Sequence, residues 1–206
     1  MIQLSDRLLS MEESATIAMS RKSRELKALG KDVISLSLGE PDFNTPDFIK
    51  DAAKEAMKNN FTKYMPVPGY EDLRESISKK FKRDNNLDYS KDQIVVSTGA
   101  KQSIANVVMT LINPGDEVII PAPYWVSYIE IVKVSGGIPV IVNAGIEQDF
   151  KITGDDLSKA ISSKTKLIIF STPCNPTGSV YSREELRSLA DTLKMNPNVI
   201  ALCDEI

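Results

Sequence analysis

The sequence predicts an α/β fold with helices on both faces of a mostly parallel sheet. Three observations predict it. Short, β-branched, nearly all-apolar runs recur from about Asp92 to the end of the 206-residue chain. Segments with helical spacing separate them, and Gly, Pro or Ser punctuation marks the boundaries. A run that is apolar on both sides of its pleat reads as a strand buried on both faces. Regular alternation with helices is the pattern of βαβ units.

The elements follow in order. Glu12–Leu29 reads as a helix rich in Ser, Ala and Lys, closed by Gly30. A short strand Val33–Leu36 and a loop Gly39–Pro46 come next. Thr45-Pro46 has the character of an N-cap and first helical residue for Asp47–Lys58, and Gly69 precedes a helix over Tyr70–Arg83. Then strands Gln93–Ser97, Glu117–Pro121, Ile138–Asn143, Lys166–Phe170 and Val199–Cys203 alternate with helices Ala100–Leu111, Tyr124–Ser135, Asp155–Ala160 and Arg183–Leu193. Pro114-Gly115-Asp116 is a turn into a strand, and Ser135-Gly136-Gly137 ends a helix. Ser182 is an N-cap with Glu185 three residues on, as in a capping box. No internal repeat or low-complexity linker interrupts the series. Asp204-Glu205-Ile206 follows the last strand with no covering helix, which would leave that strand's face and edge open. The chain is therefore expected to be a fragment, truncated within its main domain.

Composition narrows the function. A hydrophobic content of 42% supports a sizeable core, and a net charge of -3 gives no pull toward nucleic acid or anionic membrane. Cys174 and Cys203 make no disulfide framework, and the N-terminal MIQLSDRLLSMEES lacks the flank and apolar core of a signal peptide. No apolar run approaches membrane-spanning length, so a cytoplasmic protein is expected. Histidine is absent. That removes the commonest general base, the Ser-His and Cys-His pairs, and nearly every zinc arrangement. No metal is expected, and any hard chemistry falls to a cofactor or to groups further along the chain.

In open parallel sheets ligands bind beyond the carboxyl ends of the strands, and four strands carry unusual residues there. Ser97-Thr98-Gly99-Ala100-Lys101 could bring backbone N–H groups to a phosphate at a helix start; taken alone, it reads as a plain strand-to-helix turn. Neither a Walker A motif nor a G-x-G-x-x-G fingerprint is present. Pro121-Ala122-Pro123-Tyr124-Trp125 places the only tryptophan where a flat ligand could stack, or else where core aromatics open a helix. Ser171-Thr172-Pro173-Cys174-Asn175-Pro176-Thr177-Gly178 fixes an Asn amide between two constrained turns, a run peculiar enough to favour a ligand over an ordinary Asn-Pro turn. Asp204 ends its strand either as a partner for a protonated ring nitrogen or as a helix cap.

Taken together and in order, these residues are recognisable. Ser37-Leu38-Gly39-Glu40-Pro41-Asp42-Phe43, Lys63-Tyr64, Gly69-Tyr70-Glu71-Asp72-Leu73-Arg74 and Thr98-Gly99-Ala100-Lys101-Gln102 come first. Asn113-Pro114-Gly115-Asp116-Glu117-Val118, Pro123-Tyr124-Trp125-Val126-Ser127-Tyr128, Asn175-Pro176-Thr177-Gly178 and Asp204-Glu205-Ile206 complete the series. Over essentially its whole length the sequence resembles the class I and II aminotransferases of the type I pyridoxal-phosphate fold.

The resemblance implies a role for each matching residue. Gly99, Ala100 and Lys101 correspond to the turn that holds the cofactor phosphate. Tyr64 corresponds to a tyrosine that reaches the phosphate of the neighbouring subunit's cofactor, which implies a homodimer with shared sites. Trp125 corresponds to the aromatic stacked on the pyridine ring, Asn175 to the amide on the ring's phenolic oxygen, and Asp204 to the partner of the pyridinium nitrogen. Gly39 corresponds to the loop glycine that closes over the substrate's α-carboxylate, which places Gly39, Trp125, Asn175 and Lys101 around the substrate. Residues 1–45 would belong to a small domain and 46–206 to the first part of the large cofactor-binding domain.

The implied reaction moves an amino group between an amino acid and a 2-oxo acid. Lys101 and Pro123–Tyr128 look like the prokaryotic-type aspartate enzymes, so aspartate with 2-oxoglutarate is the expected pair, with prephenate or an aromatic acid as a second substrate. At the turn Lys101 would meet a distal carboxylate, although a solvated lysine at a helix start is an equal reading. No lysine here stands in the family's Schiff-base context, so these residues alone are not expected to transaminate. Other readings keep the fold and change the outcome: a β-lyase, a dimerising degenerate chain, or the non-enzymatic cofactor-binding domain of a transcription regulator. The last needs a basic DNA-binding module ahead of the fold, where the first helix near Glu12 leaves no room.

Overall fold

The structure is a computed structural model describing residues 3–36 and 38–205. Ser37 and Ile206, members of two motifs quoted above, lie outside the described residues, as do Met1 and Ile2. In chain order the helices are α1 (Asp6–Leu9), α2 (Ala15–Ala28), α3 (Asp47–Lys58), α4 (Glu71–Asn85) and α5 (Ala100–Leu111). Then come α6 (Ser127–Val134), α7 (Gly154–Ala160) and α8 (Arg183–Lys194). The strands are β1 (Glu117–Ala122), β2 (Ile138–Asn143), β3 (Thr165–Ser171) and β4 (Ile200–Asp204). The chain divides into two compact units, Met1–Val33 with Ala100–Ile206, and Ile34–Gly99.

The larger unit is a parallel sheet in the order β2-β1-β3-β4. Side chains alternate across a strand, so each apolar run feeds two cores. Val118 and Ile120 of β1 and Leu167 and Ile169 of β3 pack against Ile104 and Val108 of α5 and against Tyr128, Ile131 and Val132 of α6. Ile119 and Ile168 point the other way, against Leu157 of α7, Leu189 of α8, Ile152 and Tyr181. Helices therefore cover both faces, as the all-apolar strands require.

Chain direction sets where a ligand could sit. From β1 the chain passes through α6 to β2 on one flank, then returns through α7 to β3 on β1's other flank. The connections part company between β1 and β3, which opens a crevice at their carboxyl ends. At the outer edge of β2, Pro139 pairs with Val118 while the neighbouring Ile138 N–H donates inward to the Asp116 carbonyl at 2.8 Å. A cap and a bridging lysine fix the returning segments. Ser182 Oγ accepts from Glu185 N at 3.2 Å while the Glu185 carboxylate accepts from Ser182 N at 2.6 Å. Lys151 lies between Asp149 and Glu185 at 3.0 and 2.9 Å, tying the segment before α7 to the start of α8.

The smaller unit contains α3, α4 and a 3₁₀ turn at Lys91–Gln93. Its organising side chain is Arg74, which is only 9% exposed. Arg74 donates to the Gly69 carbonyl at 3.3 Å and to the Lys91 carbonyl at 2.8 Å, joining the approach to α4 to the 3₁₀ turn. Gly69 has φ +101°, and a Cβ there would fall 2.8 Å from Val96 Cβ. Both the dihedral and the close approach require glycine.

Most expected elements are present within a residue or two, and the exceptions have physical causes. Val33–Leu36 and Gln93–Ser97 are not strands. Ile94 keeps extended dihedrals (φ -117°, ψ 128°), but no described segment pairs with it in a ladder, and Val95 is 64% exposed. The helix expected from Tyr124 begins at Ser127, because Pro121-Ala122-Pro123 carries an extended chain into Tyr124 and Trp125 first. The helix expected from Glu12 begins at Ala15, and the one after Thr45-Pro46 has Pro46 itself at the cap position. The short α1 and a 3₁₀ turn at Ile146–Gln148 had no signal in the periodicity.

Two outcomes follow for the full-length protein. Ile119→Ala empties a fully buried position between two strands and lowers unfolding stability by roughly 2–5 kcal/mol, measured by denaturant titration. Gly69→Ala drives a methyl group into Val96 and forces a positive φ on an L-residue, which destabilises by about 1–3 kcal/mol in the same measurement.

Candidate active site

The crevice between β1 and β3 gathers three of the four segments that the sequence singled out. Beyond β1 run Pro123, Tyr124 and Trp125; beyond β3 run Thr172 to Gly178; Asp204 ends β4 beside them. Ser171 and Asp204 are register partners, and the Asp204 carbonyl accepts from Thr172 N at 3.3 Å. Leu202, two residues before Asp204, packs with the α5 and α6 core. Alternation therefore puts the Asp204 side chain on that same face.

Asp204 is half-buried, and its Oδ2 accepts a hydrogen bond from the Tyr128 hydroxyl at 2.7 Å. Tyr128 is 1% exposed, and its ring meets Trp125 edge to face with centroids 5.6 Å apart. Burial, and then the bond to Asp204, raise the Tyr128 phenol well above its ordinary pKa, while the adjoining Ser171 hydroxyl acts in the opposite sense. The phenol is thus a fixed donor at any physiological pH.

Trp125 is half-buried, and Lys101 Nζ stands 4.9 Å from its ring centroid, within cation–π range. The two were expected on one site, and within the larger unit they meet. Asn175 is exposed at the far end of the β3 loop, its backbone N–H donating to Ser171 Oγ at 3.4 Å. That loop is also tied down by Cys174 Sγ against the Pro123 carbonyl at 3.4 Å and by Tyr181 N donating to Thr172 Oγ1 at 3.2 Å. Gly99 immediately precedes α5 with φ +102° and open space where a Cβ would be, so only glycine makes this turn without strain. Ala100 and Lys101 form the first turn of α5, whose N-terminus favours an anion.

Gly39 and Tyr64 belong to the smaller unit. Both are exposed, and Tyr64 is fully so at 108%. The sequence reading missed Tyr128 as a site residue, although it lay inside a quoted motif. A signal was available: Tyr128 follows Trp125 by three residues, a spacing that one turn of chain brings together, and its N–H donates to the Trp125 carbonyl at 3.0 Å. Ser171 was named only as the start of a loop, yet its hydroxyl accepts from the Asn175 backbone N–H and adjoins the Tyr128 phenol.

The donor set suits one kind of ligand. A carboxylate beside an aromatic ring, an amide in a fixed loop and a helix N-terminus would hold a flat, cationic heteroaromatic group with an anionic tail. Among the described residues no group of three or more Cys, Asp or Glu side chains is arranged for a metal ion. None of the described helices is long and apolar enough to cross a membrane.

The chain is similar to known proteins in both sequence and fold. The family model described as aminotransferase class I and II matches residues 31–206. A probable aspartate/prephenate aminotransferase of Rhizobium leguminosarum bv. phaseoli is 54% identical over 203 residues, 98% of this chain and 51% of that protein. The aspartate/prephenate aminotransferase of Nitrosomonas europaea is 48% identical over 205 residues, covering 100% of this chain and 52% of its own. Among solved structures, the Thermus thermophilus aspartate aminotransferase with maleate superposes with a TM-score of 0.95 at 40% identity, over 100% of this chain and 54% of that one. The aspartate aminotransferase from Rhizobium meliloti gives 0.95 at 39% identity, over 98% of this chain and 51% of that one. The chain spans about half the length of the relatives that it matches.

Proposed function

The chain belongs to the class I and II aminotransferase family, and from that premise we propose that the full-length protein is a pyridoxal-phosphate-dependent transaminase using aspartate and 2-oxoglutarate. Prephenate or an aromatic acid is its second substrate class, a choice supported by the names of the relatives from Rhizobium leguminosarum and Nitrosomonas europaea. The observation that carries the reading is Asp204, a half-buried carboxylate held at the carboxyl end of β4 beside the crevice.

When bound, pyridoxal phosphate supplies a ring that accepts the electron pair left by breaking the substrate's Cα–H bond. This chain's residues prepare that ring. Asp204 keeps a proton on the ring nitrogen through a charge-assisted hydrogen bond. Trp125 covers the ring and excludes water from one side. Asn175 donates its side-chain amide to the phenolic oxygen. Gly99, Ala100 and Lys101 take the phosphate on the backbone N–H groups of the α5 turn. The Lys101 ammonium beside Trp125 gives the site a positive charge suited to a dicarboxylate substrate. Gly39 closes on the α-carboxylate.

Tyr64 serves the phosphate of a second copy's cofactor, which makes the working form a homodimer. Its full exposure leaves the phenol available for that contact. In the same reading residues 1–45 join a small domain, residues 46–206 begin the large one, and the protein works in the cytoplasm. No lysine within 1–206 stands in the Schiff-base context, so the 206 residues by themselves are inactive.

The reading is tested by absorbance. Full-length protein with pyridoxal phosphate shows a visible band that moves to the near ultraviolet on adding aspartate and returns on adding 2-oxoglutarate. A band indifferent to every amino acid refutes transamination. Asp204→Ala lowers aspartate turnover about 100-fold or more, the scale on which loss of a preorganised electrostatic partner acts. Near-wild-type rates in this variant refute the role given to Asp204.

A further inference from the structure

We propose that Tyr128 is a positioning residue whose hydroxyl holds one oxygen of Asp204 so that the other faces the cofactor's ring nitrogen. The inference rests on the role given to Asp204 above and adds the group that orients it. A carboxylate at the end of a strand can rotate about its last bond and present either oxygen. Here Oδ2 is taken by Tyr128 at 2.7 Å, which leaves Oδ1 to meet a ligand.

The contact is built from three elements. Tyr128 comes from α6, Asp204 ends β4, and Ser171 ends β3 as the register partner of Asp204. Trp125, on the same turn of chain as Tyr128, packs edge-on against the tyrosine ring. The residue that would cover the cofactor ring and the residue that aims its carboxylate partner therefore brace each other. Ser171 in turn accepts from the Asn175 backbone, so one hydroxyl chain links Asn175, Ser171, Tyr128 and Asp204.

A packing role alone does not explain the hydroxyl. Tyr128 sits in an apolar cluster with Ile131 and Val132, where phenylalanine would fill the same space without burying a polar group. The raised pKa of the phenol, from burial and from its bond to Asp204, keeps the proton in place as a donor. Orientation by a buried neighbour is how a functional carboxylate is held within a narrow angular range.

The test is Tyr128→Phe in the full-length protein reconstituted with ring-nitrogen-labelled pyridoxal phosphate, read by nitrogen NMR at neutral pH and by cofactor titration. Wild type shows the resonance of a protonated ring nitrogen. In Tyr128→Phe the resonance moves toward the neutral-pyridine value and cofactor affinity falls about ten-fold, as expected for loss of a hydrogen bond to a charged group. Ile131→Ala, which loosens the same helix but keeps the hydroxyl, leaves the resonance in place. An unmoved resonance in Tyr128→Phe against a protonated wild type overturns the positioning role while leaving the transaminase reading intact. An equal movement in Ile131→Ala overturns it too, by showing that packing is the cause. A neutral ring nitrogen in wild type defeats the role of Asp204 itself, and this inference with it.

Discussion

The architecture of the larger unit depends on β1 and β3 lying side by side with both faces covered. Val118, Ile119, Leu167 and Ile168 are all essentially buried, so neither strand has a face to spare for solvent. Helices must then lie on both sides, and the connections out of β1, toward β2, and out of β3, toward β4, run in opposite directions. The crevice is a by-product of that routing. It forms where no connection crosses, and the residues that happen to follow β1, β3 and β4 become its walls.

Those walls are held by unlike means. Polar groups fix the floor: the Asp204 carboxylate, the Tyr128 phenol and the Ser171 hydroxyl occupy a part of the unit otherwise packed with aliphatic side chains. Burying such groups is tolerable because each has a partner. The rim relies on backbone geometry instead. Prolines carry the chain away from β1, and the loop after β3 is tied back by Cys174 and Tyr181. A rigid floor under a tethered rim suits a ligand that is gripped at several edges.

How much of this was legible depended on whether the signal was local. The runs at Glu117, Ile138 and Lys166 announced their strands because burial on both faces is written into consecutive residues. Gln93–Ser97 looks the same on paper, yet strand formation needs a neighbour to pair with, and composition carries no record of one. Ser182 and Glu185 were readable as a cap because both partners lie within one turn. Tyr128 and Asp204 were not readable as a pair, since 76 positions separate them. The Gly69–Arg74 motif was read as a family landmark, whereas its buried guanidinium turns out to organise the smaller unit from within. The site roles came from resemblance to a family; the residues alone favoured a ligand only at the Asn175 run and set the other roles against a plain turn, core aromatics or a helix cap.

Pro139 has a consequence for how the sheet can associate. Ile138 donates its N–H toward β1, so alternation turns position 139 to the side of β2 away from β1, where proline has no N–H to offer. A strand approaching that flank from another molecule would find its row of donors broken near the start. Among the described residues, the β2 flank therefore offers one backbone donor fewer than an unbroken strand edge would.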